Sequence, residues 1–188
     1  MAINTLYTDN GVMKSARRAF ESQTPKNIRL ENFFQKPVFR IIQKKLYLAD
    51  YTEKFDPEKY FYSVTTLKEI DTFLKGRYFQ DIVLKATGKK ALKMSYGIRK
   101  FERGNYTLLH DAEKEKPGID FIIDFSRQCR NFGGYIKYLT SGEELLQVDS
   151  VPNTLSFVKR KKGVMKYTKY LQHRQKFPII HVIGTIFD

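Results

Sequence analysis

The chain has 188 residues, enough for one domain and a small appendage when domains cluster at ~100–150 residues. With 41% apolar residues, 15 Phe and 12 Tyr, it holds too much core material for a disordered chain, and its single cysteine excludes an internal disulfide or a cysteine zinc site. Lys and Arg outnumber Asp and Glu by 34 to 20, a net charge of +14 that points toward anionic partners rather than basic ones.

No apolar run approaches the ~18 residues of a membrane span, and the opening stretch MAINTLYTDNGVMK lacks the basic-then-apolar pattern of a secretion signal. The expectation is a cytoplasmic domain with no membrane contact. The charge is uneven. Ser150 to Asp188 carries eight basic residues against one acid, a net of +7, half the total in about a fifth of the chain. Such asymmetry suits a polyanion, either nucleic acid or an acidic protein; a merely solvated hairpin tip is the plainer alternative.

In chain order, Met13 to Gln23 reads as a short helix closed by Pro25, because proline removes a donor and restrains the residue before it. Asn27 to Leu30 alternates and reads as a strand. Val38, Ile41, Ile42 and Leu46 after Pro37 have helical spacing. Asp56-Pro57-Glu58-Lys59 reads as a turn or helix start. Hydroxyl residues from Ser63 to Thr66 offer caps to a helix bearing Leu67, Ile70, Phe73 and Leu74, and Tyr78 to Ala86 makes another that ends at Thr87-Gly88. After Gly88 the period becomes two. Short alternating runs follow at Leu92–Ile98, Tyr106–His110, Ile119–Phe125, Tyr135–Leu139, Thr154–Val158, Gly163–Leu171 and Ile179–Phe187. Turn pairs such as Gly104-Asn105, Pro117-Gly118, Gly133-Gly134 and Pro152-Asn153 separate them. The expected fold class is α+β and mainly antiparallel β. It is one domain over 1–188: a mainly helical part with one early strand at 1–88, then a β core at 89–188 of sandwich or barrel type.

Several of these segments, taken together, resemble the iron/2-oxoglutarate-dependent oxygenases, and most closely the ribosomal-protein prolyl hydroxylase type. Gly104-Asn105-Tyr106-Thr107-Leu108-Leu109-His110 is similar to the strand carrying that family's first metal histidine. Phe132-Gly133-Gly134-Tyr135-Ile136, Val151-Pro152-Asn153 through Phe157, and Pro178 to Phe187 resemble its later core segments. The resemblance covers about residues 27–188 and implies a double-stranded β-helix, or jelly roll, with N-terminal helices buttressing one sheet.

It also implies a site: a His-x-Asp pair and a distal His holding Fe(II), with an Arg clamping 2-oxoglutarate. His110 matches the first ligand, as a remnant. The carboxylate position is Ala112, and the adjacent Asp111 alternates to the other strand face. Met165 stands where the distal His belongs and Ile179 where the Arg belongs. Glu113, His173, His181 and Lys169 are the other candidates for rebuilding a metal or anion site; each is more simply a core or solvated residue. Tyr106, Ala112, Met165, Ile179 and His181 are expected to line the interior. The leading expectation is a pseudoenzyme without cofactor that serves as a binding or scaffolding module. The alternatives are an active dioxygenase using Fe(II) and 2-oxoglutarate at an irregular site, and a jelly roll binding a small molecule. Lys159, Arg160, Lys161 and Lys162 are expected at an exposed hairpin tip, with Lys166 on the outer strand face, forming a positive ridge for a polyanion.

Overall fold

A computed structural model describes residues 1–109, 116–127 and 132–187. Four helices precede most of the sheet: α1 Asn10–Ser22, α2 Lys36–Leu48, α3 Lys68–Lys75 and α4 Arg77–Thr87. Each lies within a few residues of its expected span. Asp9 caps α1 by accepting the Val12 amide at 2.8 Å, Pro37 sits in the first turn of α2, and Gly88 ends α4 in the left-handed region at φ 75°.

Eleven strands are described: β1 Asn27–Leu30, β2 Thr52–Asp56, β3 Tyr60–Thr65, β4 Met94–Phe101, β5 Tyr106–Thr107 and β6 Gly118–Asp124, then β7 Ile136–Thr140, β8 Glu143–Val148, β9 Thr154–Arg160, β10 Met165–Thr168 and β11 Ile179–Phe187. The major sheet runs β1-β9-β6-β11-β4-β3-β2, with β5 beside β3; the minor sheet runs β10-β7-β8. Every pairing is antiparallel.

Two expectations about the elements are corrected. The first 88 residues hold three strands rather than one, because Asp56-Pro57-Glu58-Lys59 is the loop of a hairpin. The Lys59 amide donates to the Asp56 carbonyl at 2.9 Å and the Glu58 amide to Asp56 Oδ1 at 3.1 Å, and β2 and β3 pair on either side. Consequently Ser63 and Thr65 lie in β3 and do not cap α3, whose N-cap is Leu67. Strand β8 has no counterpart in the sequence reading. Glu143-Glu144-Leu145-Leu146 does not alternate, and a bulge at Tyr138/Leu139 breaks the register with β7.

The architecture has three layers. Helices cover one face of the major sheet, where Phe121, Phe125, Leu155, Phe157, Ile180 and Val182 meet the helical Phe73, Phe79 and Ile82. The Phe79 and Phe121 rings stand 5.1 Å apart, edge to face. The other face meets the minor sheet around Ile122, Ile136, Tyr138, Val158 and Ile183. Gly184 is what lets Phe121 lie flat across β11. A Cβ at that position would fall 2.4 Å from Phe121 Cζ and 2.6 Å from the Ser95 carbonyl oxygen. Gly184→Ala is therefore expected to cost about 1–3 kcal/mol by overpacking, read as a lowered urea midpoint at unchanged slope. An unchanged midpoint would show that the ring gives way freely.

Candidate functional site

Alternation along β6 and β11 decides what enters the space between the sheets. On β6, Ile119, Phe121 and Ile123 turn toward the helices, so Asp120, Ile122 and Asp124 turn inward. On β11, Ile180, Val182 and Ile186 face the helices, so Ile179, His181, Ile183 and Thr185 turn inward. Two carboxylates thus lie in the sandwich interior, and each is fully enclosed by donors.

Asp120 joins the two sheets. Arg160 of β9 holds it with both arms, Nε to Oδ2 at 3.1 Å and Nη2 to Oδ1 at 3.3 Å. From the minor sheet, Lys166 Nζ donates to Oδ2 at 2.9 Å and the Tyr138 hydroxyl to Oδ2 at 3.2 Å. Thr185 adds its hydroxyl to Oδ1 at 2.6 Å. Burial alone would push the Asp120 carboxyl up; the charges of Lys166 and Arg160 and the hydrogen bonds from Arg160 and Thr185 outweigh it, and the net shift is downward.

Asp124 is enclosed by the Ser126 amide at 2.7 Å, the Ser150 hydroxyl and His181 Nε2 at 3.1 Å. Burial raises its carboxyl as well, but the charge and hydrogen bond of His181, with the hydrogen bonds of Ser150 and Ser126, carry it below the ordinary value. His181 Nδ1 has no hydrogen-bond partner among the described residues.

The expected site residues divide as follows. Ile179 is 3% exposed and packs with Phe101 and Leu171; Gly134 makes room for it, since a Cβ there would lie 2.0 Å from Ile179 Cδ1. His181 faces the interior, paired with Asp124. His110, Asp111, Ala112 and Glu113 lie outside the described residues.

Five placements are corrected. Met165 does not line the interior: Lys166 reaches inward to Asp120, so alternation turns Met165 and Tyr167 to the opposite face of β10. Lys166 is therefore not on the outer face. Arg160 is not at the hairpin tip but 1% exposed in the core. Tyr106 pairs with Phe61, on the face opposite the interior-packed Tyr62, and its hydroxyl donates to the Pro57 carbonyl at 3.1 Å. Of the remaining candidates, Lys169 is exposed beyond β10 and His173 sits 3.3 Å from the Tyr170 hydroxyl. Lys161 and Lys162 are exposed in the turn after β9, but that turn is no hairpin tip, because β9 pairs with β1 and β6 while β10 pairs with β7, and Lys159 lies half-buried within β9.

Sequence reading missed Asp120 and Asp124. Their signal was two carboxylates at alternate positions of an otherwise apolar strand, a pattern that demands buried partners. The described residues do not fit an iron triad. No three or more His, Cys, Asp and Glu among them form a group that could hold a metal ion, and the inward Asp120 and Asp124 are each held by neighbouring donors.

Two antiparallel sheets of this order, backed by helices, define the double-stranded β-helix of the 2-oxoglutarate/iron oxygenases. Solved structures agree. A prolyl hydroxylase from Trichoplax adhaerens, in complex with a hypoxia inducible factor oxygen degradation domain peptide fragment, superposes with a TM-score of 0.72 at 8% identity, covering 98% of this chain and 92% of its own. A Pseudomonas putida prolyl-4-hydroxylase gives a TM-score of 0.67 at 9% identity, covering 93% of this chain and 98% of its own. The chain belongs to the family described as oxoglutarate and iron-dependent oxygenase degradation C-term, whose model matches residues 13–185.

Among curated proteins it is similar to prolyl 3-hydroxylase OGFOD1 of Mus musculus, 32% identical over 85 residues that make 41% of this chain. The Xenopus laevis protein of the same name is 29% identical over 87 residues. These matches span only 15% and 17% of the two relatives.

Proposed function

We propose that this chain is a non-catalytic member of the prolyl hydroxylase-like oxygenase fold and serves as a binding module for an anionic partner. The observation that carries the reading is the interior itself. In the stretch where the resemblance expects a distal histidine the inward residue is Lys166, held by Asp120, and where it expects an arginine clamp stands the buried Ile179. The inward polar groups are spent on each other: Arg160, Lys166, Thr185 and Tyr138 on Asp120, and His181, Ser150 and Ser126 on Asp124. A cosubstrate carboxylate would have to displace Asp120 or Asp124 from buried partners, and removing one member of such a pair costs several kcal/mol, about 3–5. What the chain does offer outward is positive charge.

The test is anaerobic calorimetry with Fe(II), and with Mn(II) in its place, alongside an assay of 2-oxoglutarate turnover. No tight site and no turnover are expected, because a single imidazole such as His110 gives little divalent affinity without the rest of a triad. One tight metal site together with 2-oxoglutarate-dependent turnover would overturn the reading in favour of an active dioxygenase.

A further inference from the structure

We infer that a lysine-rimmed cavity at the β9–β10 end of the jelly roll takes an acidic peptide segment that inserts one apolar side chain. The inference rests on the binding-module reading above and gives that module its ligand class.

The cavity measures about 650 Å³ and lies between the end of α1, the loop 23–26, the end of α4, the β7–β8 hairpin and the β9–β10 turn. That is within the roughly 300–1,000 Å³ of ligand-sized pockets. Its floor is apolar, and the accessible part is the half-buried Pro25, Leu145 and Val164; Phe20, Ile119, Tyr138 and Val158 also line it but are each 3% exposed or less. Its rim is cationic. Lys26, Lys89, Lys159, Lys161 and Lys162 all line it, and the Lys159 amide donates to the Lys26 carbonyl at 2.8 Å, tying the two sides of the rim together.

The acids in the lining do not offset Lys26, Lys161 and Lys162. Glu21 is paired with Arg17 at 3.0 Å and Glu144 with Lys137 at 2.5 Å, and neither cation lines the cavity. Lys26, Lys161 and Lys162 make no ion pair among the described residues. An occupant must therefore present apolar surface to the floor and carboxylates to the rim, a few ångströms apart along one short chain.

An acidic peptide meets both demands and nucleic acid meets one. Single-stranded nucleic acid binds basic grooves by stacking its bases on exposed aromatic faces. The rings here, Phe20 and Tyr138, are buried as part of the floor, and none of the exposed Phe55, Tyr78, Tyr170 or Phe177 lines the cavity. All five rim cations are lysines, point charges suited to scattered carboxylates, without an arginine fork for bidentate phosphate contact.

The test is fluorescence anisotropy on the full chain. The probe is a fluorescein-labelled pentapeptide with glutamates flanking a central phenylalanine, compared with the same peptide carrying glycine at the centre and with a labelled oligouridylate of twelve nucleotides. The phenylalanine peptide is expected to bind, the glycine peptide at least tenfold more weakly. The exposed triple change Lys26→Glu, Lys161→Glu and Lys162→Glu is expected to weaken binding at least tenfold, with an unaltered circular dichroism spectrum. Equal binding of the two peptides, stronger binding of the oligouridylate displaced by the peptide, or no peptide binding would each overturn the inference. Oligouridylate binding without peptide binding would overturn it while leaving the anionic-partner reading standing. The metal titration above decides the non-catalytic reading separately.

Discussion

Asp120→Ala is expected to cost about 3–5 kcal/mol, the usual effect of removing one partner from a buried ion pair. Against a typical total of about 5–15 kcal/mol, that loss brings the domain near its unfolding threshold. The reason is arithmetic of charge. Arg160 and Lys166 both pair with the Asp120 carboxylate, and with Asp120 gone each loses that buried countercharge, Arg160 while 1% exposed. Urea unfolding should show a much lower midpoint, and a change within 1 kcal/mol would sink the account. A control separates pairing from packing. The triple change Asp120→Leu, Arg160→Met and Lys166→Met removes this charge cluster, leaving Asp124 and His181 in place, and is expected to be near neutral or stabilising, because the desolvation cost vanishes with the pair. The pH dependence has a definite sign. Folding depresses the pKa of Asp120 and of Asp124. Their contribution is thus full above the unfolded carboxylate value of about 3.9 and is lost as pH falls through the lower folded values. Acid should therefore unfold the wild type steeply below about pH 4, and the triple variant less steeply.

The same cluster shows why part of the site was illegible from the residues. The helices were legible because their apolar spacing and their stops, Pro25 and Gly88, are local signals. The core strands β6, β9 and β11 were legible because they are short apolar runs, two of them opened by the turn pairs Pro117-Gly118 and Pro152-Asn153. Strand β10 was read in the wrong phase. The metal template placed Met165 inward, and in a strand a shift of one residue exchanges the faces. What fixes the phase is the carboxylate of Asp120, 46 residues earlier in the chain, which draws Lys166 inward. No local pattern contains that information. Arg160 was misplaced for the same reason: within Lys159-Arg160-Lys161-Lys162 all four residues read as solvated charge, yet the pairing of Gly118 with Arg160 carries β9 two residues further than its apolar run and turns the guanidinium inward. The hairpin β2–β3 was missed because its pattern is half-exposed throughout, with no buried face to impose alternation. The cavity was invisible for a different reason. Its rim gathers Lys26, Lys89 and the turn after β9 from three distant segments, and the pairing of β1 with β9 brings the first and last of these together.

Asn153→Ala is expected to lose about 3 kcal/mol, more than its single side chain suggests, because three separate effects fall on it. Its side chain closes a two-way clasp with the backbone of Phe34: Oδ1 accepts the Phe34 amide at 2.9 Å and Nδ2 donates to the Phe34 carbonyl at 3.0 Å. Alanine leaves both buried groups unpaired, at about 1–3 kcal/mol for an unsatisfied group. Its backbone stands at φ 58°, a region that asparagine tolerates and other β-carbon residues adopt at a cost of about 1 kcal/mol. Its position links two layers. The Phe33 amide donates to its carbonyl at 2.8 Å while its own amide donates to the Asp124 carbonyl at 2.9 Å, so one residue ties the aromatic segment Phe33-Phe34 to the end of β6. The Phe34 ring then meets Phe73 at 5.3 Å and Phe125 at 5.7 Å, joining the helical layer to the major sheet. Asn153→Gly isolates the backbone contribution. Glycine accepts the positive φ and admits a water to the two freed groups, so it should fall between wild type and alanine, above alanine by about 1 kcal/mol. Thermal melts of the three proteins should rank asparagine, glycine, alanine. If alanine equals or exceeds glycine, the backbone argument fails; if both stay within about 0.5 kcal/mol of wild type, a value typical of surface changes, the clasp holds nothing together.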